Sequence, residues 1–149
     1  MRVFLLAWAS VSLSLLSTGR PMAAQGRGSV TITRLVAGPD GKAQALNLPV
    51  AFHPSPLRAG LDESTTVKVS GAQFVRWPRG YVWPSHTAAT KQFVITISGR
   101  GEVEVTGGQV IPLTPGRILL AEDLTGMGHT TRVVGTEDLV LLLVPINAQ

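Results

Sequence analysis

The chain has 149 residues, 44% of them hydrophobic and 15% charged, with 16 glycines, 10 prolines and no cysteine. That length allows one small domain. The lack of Cys excludes a disulfide framework, a thiolate zinc site, an iron–sulfur cluster, a cysteine nucleophile and a lipidated-cysteine anchor. The formal charge of +4 resembles a nucleic-acid signal until its distribution is read.

Residues 1–24 have the layout of a secretory signal peptide. Arg2 gives a positive start, residues 3–16 (VFLLAWASVSLSLL) are apolar, and Met22-Ala23-Ala24 supplies a small-residue cleavage site. The apolar run falls short of the roughly 20 residues that span a bilayer, so no stable membrane anchor is expected. Export would place the protein in the periplasm or outside the cell. Cleavage after Ala24 removes Arg2 and Arg20 and lowers the charge from +4 to +2. The remaining charges are dispersed, with Arg76 and Arg79 the nearest thing to a cluster, so nucleic acid is not an expected partner.

The remainder reads as strands and turns. Residues 29–37 (SVTITRLVA) are β-branched and stop at Gly38-Pro39-Asp40-Gly41. Residues 42–65 hold Pro49, Pro54 and Pro56 and read as loop with one short strand at most. Residues 66–73 alternate and predict a strand running on toward Trp77. Further strands are predicted at 92–98 (QFVITIS), 102–106 (EVEVT), 109–113, 117–121 and 131–134, divided by Gly/Pro turns. Residues 139–146 (LVLLLVPI) are apolar throughout, which suits a strand buried on both faces. Helical periodicity is missing, so the class is all-β. Many short strands must close or stack to protect their edges.

The glycine and histidine spacing resembles the cupin family. Gly80, five residues, His86, Thr87, Ala88, three residues, Gln92, six residues and Gly99 follow the first cupin motif, with Ala88 in place of a second His and Gln92 in place of Glu. Gly116, then Leu124-Thr125-Gly126 and His129, follow the second. There Leu124 replaces a proline, two residues are inserted, and Val133 stands in place of an Asn. The resemblance spans residues 66 to 146 and is to small single-domain cupins with degenerate metal motifs. It implies a jelly-roll β-barrel with a site inside. The expected organisation is signal peptide over 1–24, N-terminal strand and irregular segment over 25–65, and barrel domain over 66–149.

A cupin metal centre uses three His and one Glu. This chain offers His86 and His129 with Gln92, and Asp123 or Glu122 could restore a two-His-one-carboxylate set. The expected metal set is His86, Gln92, His129 and Asp123, holding iron, manganese, nickel or zinc. Beside it stand plainer readings: His86 as a hydrogen-bonded barrel residue, His129 on a flexible Gly-Met-Gly loop, Asp123 as a turn cap with Thr125, and Glu102 and Glu104 as a solvated strand face. His53 is a remote third candidate. Trp83 with His86, Gln92 and His129 forms the expected ligand set. Trp77 and Trp83 either stack on a flat ligand or belong to the core. Arg76, Arg79 and Arg100 either grip an anion or are solvated.

If Gln92 points inward, Phe93, Ile95 and Ile97 point outward and need a cover, from the N-terminal strand or a second subunit. Cupins commonly dimerise, and a homodimer is expected. The reading is an exported small-molecule-binding cupin without bound metal. The alternative is a metal-dependent dioxygenase or isomerase. A third class, a structural or interaction protein, predicts a filled barrel.

Overall fold

A computed structural model of the protein describes residues 28–147. The expected signal peptide lies outside the described residues. Among those described there is no helix, and none that could cross a membrane. Twelve strands run in order: β1 Thr31–Ala37, β2 Ala43–Pro49, β3 His53–Pro54, β4 Asp62–Glu63, β5 Gln73–Trp77, β6 Val82–His86, β7 Gln92–Ser98, β8 Gly101–Val105, β9 Val110–Leu113, β10 Ile118–Glu122, β11 His129–Val133 and β12 Leu139–Pro145.

The strands form a six-stranded sheet, β2-β1-β10-β7-β12-β5, and a four-stranded sheet, β6-β11-β8-β9, with β3–β4 as a separate hairpin. Strands β5 to β12 are nested. β5 pairs with β12, β6 with β11, β7 with β10 and β8 with β9, all antiparallel. This is one long hairpin wound back on itself, the winding of a jelly roll. The expected closed barrel is not formed. No ladder joins β5 to β6 or β2 to β9, so the two sheets face each other as an open sandwich.

Alternation explains the packing. Leu35, Leu119, Leu139 and Leu141 from the large sheet meet Val103, Val105, Ile111, Leu113 and Val133 from the small one. Each fully buried Leu contributes roughly 1.5–3 kcal/mol. Gly101 makes room for this contact, since a Cβ there would lie 2.7 Å from Leu139 Cδ2.

Several expectations change. β2 is a full seven-residue strand, antiparallel to β1, inside the segment read as loop. Its alternation was obscured by prolines, of which Pro49 only ends it. Residues 66–72 are irregular apart from one bridge, Val69 to Ile146, so β5 starts at Gln73 rather than Thr66. β12 is not buried on both faces. Leu139 and Leu141 are buried, while Val140 and Leu142 are half-buried on the outer side. β1 pairs in parallel with β10, which no local pattern foretold.

The parity expectation for β7 holds. Val94 and Thr96 face the core, with Thr96 buried. Phe93 and Ile95 therefore face outward beside Val144 and Leu142. Ile97 is the extra residue of a bulge opposite Val140 and Leu141.

Candidate functional site

The site lies where edge strand β6 meets β11. His86 sits opposite His129 and Trp83 opposite Thr131, with a bulge between the two pairs. Both histidines thus face inward, and their ring centroids are 4.3 Å apart at 60°. Trp83 stacks on His86 at 3.8 Å with the ring planes 5° apart. Trp77, at the end of β5, meets Trp83 edge-on at 5.6 Å and Tyr81 at 5.5 Å. Rings from both sheets therefore line the unjoined edge of the sandwich.

Asp123 follows β10 and is completely buried, and its Oδ2 accepts a hydrogen bond from His129 Nδ1 at 2.6 Å. The Nδ1–H of His129 is thereby aimed at the carboxylate, which fixes the orientation of the ring. Asp123 Oδ1 is buried without a partner. Likewise His86 Nδ1 donates to the Pro84 carbonyl at 2.8 Å, which leaves its Nε2 as an acceptor. Burial lowers the His86 pKa from its ordinary 6.5. The charge of His129 lowers it further, against the Pro84 hydrogen bond and the Asp123 charge. The neutral imidazole is therefore the favoured form of His86 near neutral pH.

The loop before His129 is pinned, so His129 is not on a flexible tether. It is the first residue of β11 and is buried. Met127 N donates to the Gly41 carbonyl at 2.7 Å, Ser85 Oγ donates to the Met127 carbonyl at 2.7 Å, and Thr106 Oγ1 donates to the Gly128 carbonyl at 2.6 Å. Gly128 has φ +64°, and a Cβ there would collide with the His86 carbonyl. No side chain other than glycine's fits so close an approach of the two His-bearing segments.

Of the expected residues, Trp83, His86, His129 and Asp123 come together. Gln92 opens β7 on its inner face, opposite Ala121, but its amide makes no hydrogen bond to the other four. Glu122 points to the outer face, between Arg34 and Lys91. His53 lies on the β3–β4 hairpin. Arg76 sits outward on β5 opposite Val140. Glu102 and Glu104 are not free: Arg132 reaches both, at 3.8 and 2.6 Å. Tyr81 is an addition that the sequence reading missed. Its signal was the spacing of Trp77, Tyr81 and Trp83 around one Pro-Gly turn.

The donor set does not fit a cupin-type metal centre. Ala88 is buried where a second His would stand, Gln92 is neutral, and the one nearby carboxylate is taken by His129 Nδ1. Among the described residues no three His, Asp or Glu side chains group as metal ligands. The space between the sheets is occupied by the core. A depression of about 500 Å³ lies at Gly99, Pro115 and Gly135, and one of about 440 Å³ at Val30, Phe52 and Leu61. Neither includes the His pair. The candidate site is a cluster of rings along the open edge of the sandwich.

No protein-family model and no curated protein matches the chain. Among solved structures it is similar to a cupin domain from Bordetella pertussis Tohama I, with 20% identity, 56% of this chain and 91% of that one covered, and a TM-score of 0.43. It is also similar to the Schizosaccharomyces pombe Cnp3 cupin domain, at 12% identity over 81% of this chain and 86% of that one, with a TM-score of 0.43. A third is an uncharacterised Klebsiella pneumoniae protein with a double-stranded β-helix domain, at 25% identity, 58% and 77% coverage and a TM-score of 0.41. The structures this chain resembles include cupins. By its own pairing the chain forms the nested set β5 to β12, and β1 and β2 extend the larger sheet.

Proposed function

We propose that this protein is an exported, cupin-type binding protein that holds a small organic molecule at the mouth between its two sheets, without a bound metal. The observation that supports this is the chain of contacts Trp83–His86–His129–Asp123. It sets an aromatic ring and the His86 imidazole at an open edge, backed by a second imidazole that a buried carboxylate orients. The leader pattern of residues 1–24 supports export to the periplasm or beyond. Exposed apolar residues on the outer face of the six-stranded sheet support a homodimer.

The test is elemental analysis of the purified protein before and after reconstitution with iron, manganese, nickel and zinc, together with thermal-shift screening of small organic molecules. The expected result is substoichiometric metal throughout and at least one stabilising compound whose effect is lost in His86→Ala and His129→Ala. Near-stoichiometric metal that both substitutions abolish would instead establish the metal-dependent dioxygenase or isomerase reading.

A further inference from the structure

Two apolar surfaces of this chain stay uncovered, one on the six-stranded sheet and one on the β3–β4 hairpin. On the outer face of the sheet, the pairing registers put Phe74, Leu142, Ile95 and Ile118 in one row across β5, β12, β7 and β10. Leu142, Ile95 and Ile118 are half-buried, whereas Phe74, on the edge strand, is 69% exposed. Alternation puts Arg76 on the same outer side as Phe74, two residues along β5. Arg76 is exposed, and among the described residues no ion pair joins it to an acid.

The hairpin carries the other surface. Ser55 N donates to the Leu61 carbonyl at 2.8 Å and Leu61 N to the Arg58 carbonyl at 3.2 Å, so the loop has its shape before any partner arrives. Leu57, within that loop, is 89% exposed, and Phe52 and Leu61 are 50% exposed each. One exposed leucine is ordinary, but three large apolar side chains together at one small hairpin form a patch. The two surfaces also differ in sign. The hairpin holds Arg58 against Asp62 and Glu63, one base less two acids, or −1. The sheet face holds Arg34, Lys91 and Arg76 against Glu122, three bases less one acid, or +2. Within one chain the two do not meet. Phe52 and Leu61 border a depression with Val30, which leads into β1. β1 and β5 are four steps apart in the sheet, about 19 Å at about 4.8 Å per step.

We infer that a second copy of the chain supplies the cover. The β3–β4 hairpin of each protomer seats Leu57 and Leu61 against Phe74 of the other, with Asp62 and Glu63 turned toward Arg76. The inference rests on the homodimer reading and names the contact that forms it. A twofold axis makes the contact twice, since each copy brings one hairpin and one sheet face. The opposite charges set the orientation of the hairpin on that face.

The test is sedimentation equilibrium of the purified protein as wild type, as Leu57→Arg, as Phe74→Glu, and as an equimolar mixture of the two variants. Both positions are exposed, so each variant is expected to keep the wild-type far-UV spectrum. Leu57→Arg sets like charge against Arg76, and Phe74→Glu sets like charge against Asp62 and Glu63. Each variant alone carries its fault in both contacts and is expected to dimerise on the order of a hundredfold more weakly than wild type. The mixed pair confines both faults to one contact, where the introduced charges attract, and leaves the other contact intact. A heterodimer on the order of tenfold tighter than either variant homodimer is therefore expected. If wild type is a dimer, a Leu57→Arg protein that dimerises as well as wild type, or a mixture that forms no heterodimer, would overturn the contact and leave the homodimer standing. A monomeric wild type would overturn both.

Discussion

Asp123 is the residue on which the site turns. Its carboxylate has no contact with solvent and a single hydrogen-bond partner, His129 Nδ1. Substitution by Ala leaves a buried imidazole N–H with nothing to donate to. Such an orphan costs roughly 1–3 kcal/mol. Asp123→Ala is expected to lower the urea midpoint at neutral pH by the corresponding amount, and an unchanged midpoint would show that the pair contributes nothing to folding. His86 and His129 were legible in the sequence because glycine spacing flanks both of them. The role of Asp123 was only half legible. It was one of two adjacent acids, and which of Glu122 and Asp123 turns inward depends on where β10 ends. Tyr81 was legible only as one of three rings spaced around a single turn, a spacing that does not by itself say that its ring meets Trp77.

At the level of elements, Glu122 ties three segments on the outer face. Arg34 of β1 and Lys91, just before β7, both reach its carboxylate, the lysine at 2.5 Å. Burial would raise its pKa, but the hydrogen bonds from Lys91 and Arg34 and their charges outweigh burial and hold it below its ordinary 4.5. A lowered acid stabilises the fold above its unfolded pKa and loses that contribution as pH falls through the folded one. Glu122→Gln should therefore be less stable than wild type at neutral pH, and the gap should close as the medium is acidified below about pH 4. Urea midpoints at several pH values measure this, and a gap independent of pH would refute it. The strands β7, β8 and β9 were readable because alternation and Gly turns agree there. β2 was not, because Pro49 at its end and Pro54 and Pro56 beyond it mimic a loop. Nor was the irregularity of residues 66–72, where an alternating pattern finds only a single bridge partner, Ile146.

The whole molecule presents one uneven face. On the outer side of the six-stranded sheet Leu120 is buried, whereas toward the β5 edge Phe74 is 69% exposed, opposite Leu142. A Phe so exposed on a sheet edge invites a cover. The proposed homodimer predicts a dimeric mass by light scattering at micromolar concentration, and Phe74→Glu should shift it to a monomer. A monomeric wild type would refute it. The all-β class was foreseen from the turn spacing, whereas the jelly-roll winding was what the family resemblance implied. The open edge was not, since closure depends on pairing between β5 and β6, about which their sequences say nothing.

The nested winding also sets the order of events during synthesis. β12 is the last strand made, yet it lies inside the larger sheet, between β7 and β5. Leu139 must find Trp77, and Val140 must find Arg76, across most of the domain. Pairings that distant close slowly. Until β12 is made, β5 and β7 have no strand to bridge them, so the larger sheet cannot be completed from the strands that precede β12 in the chain.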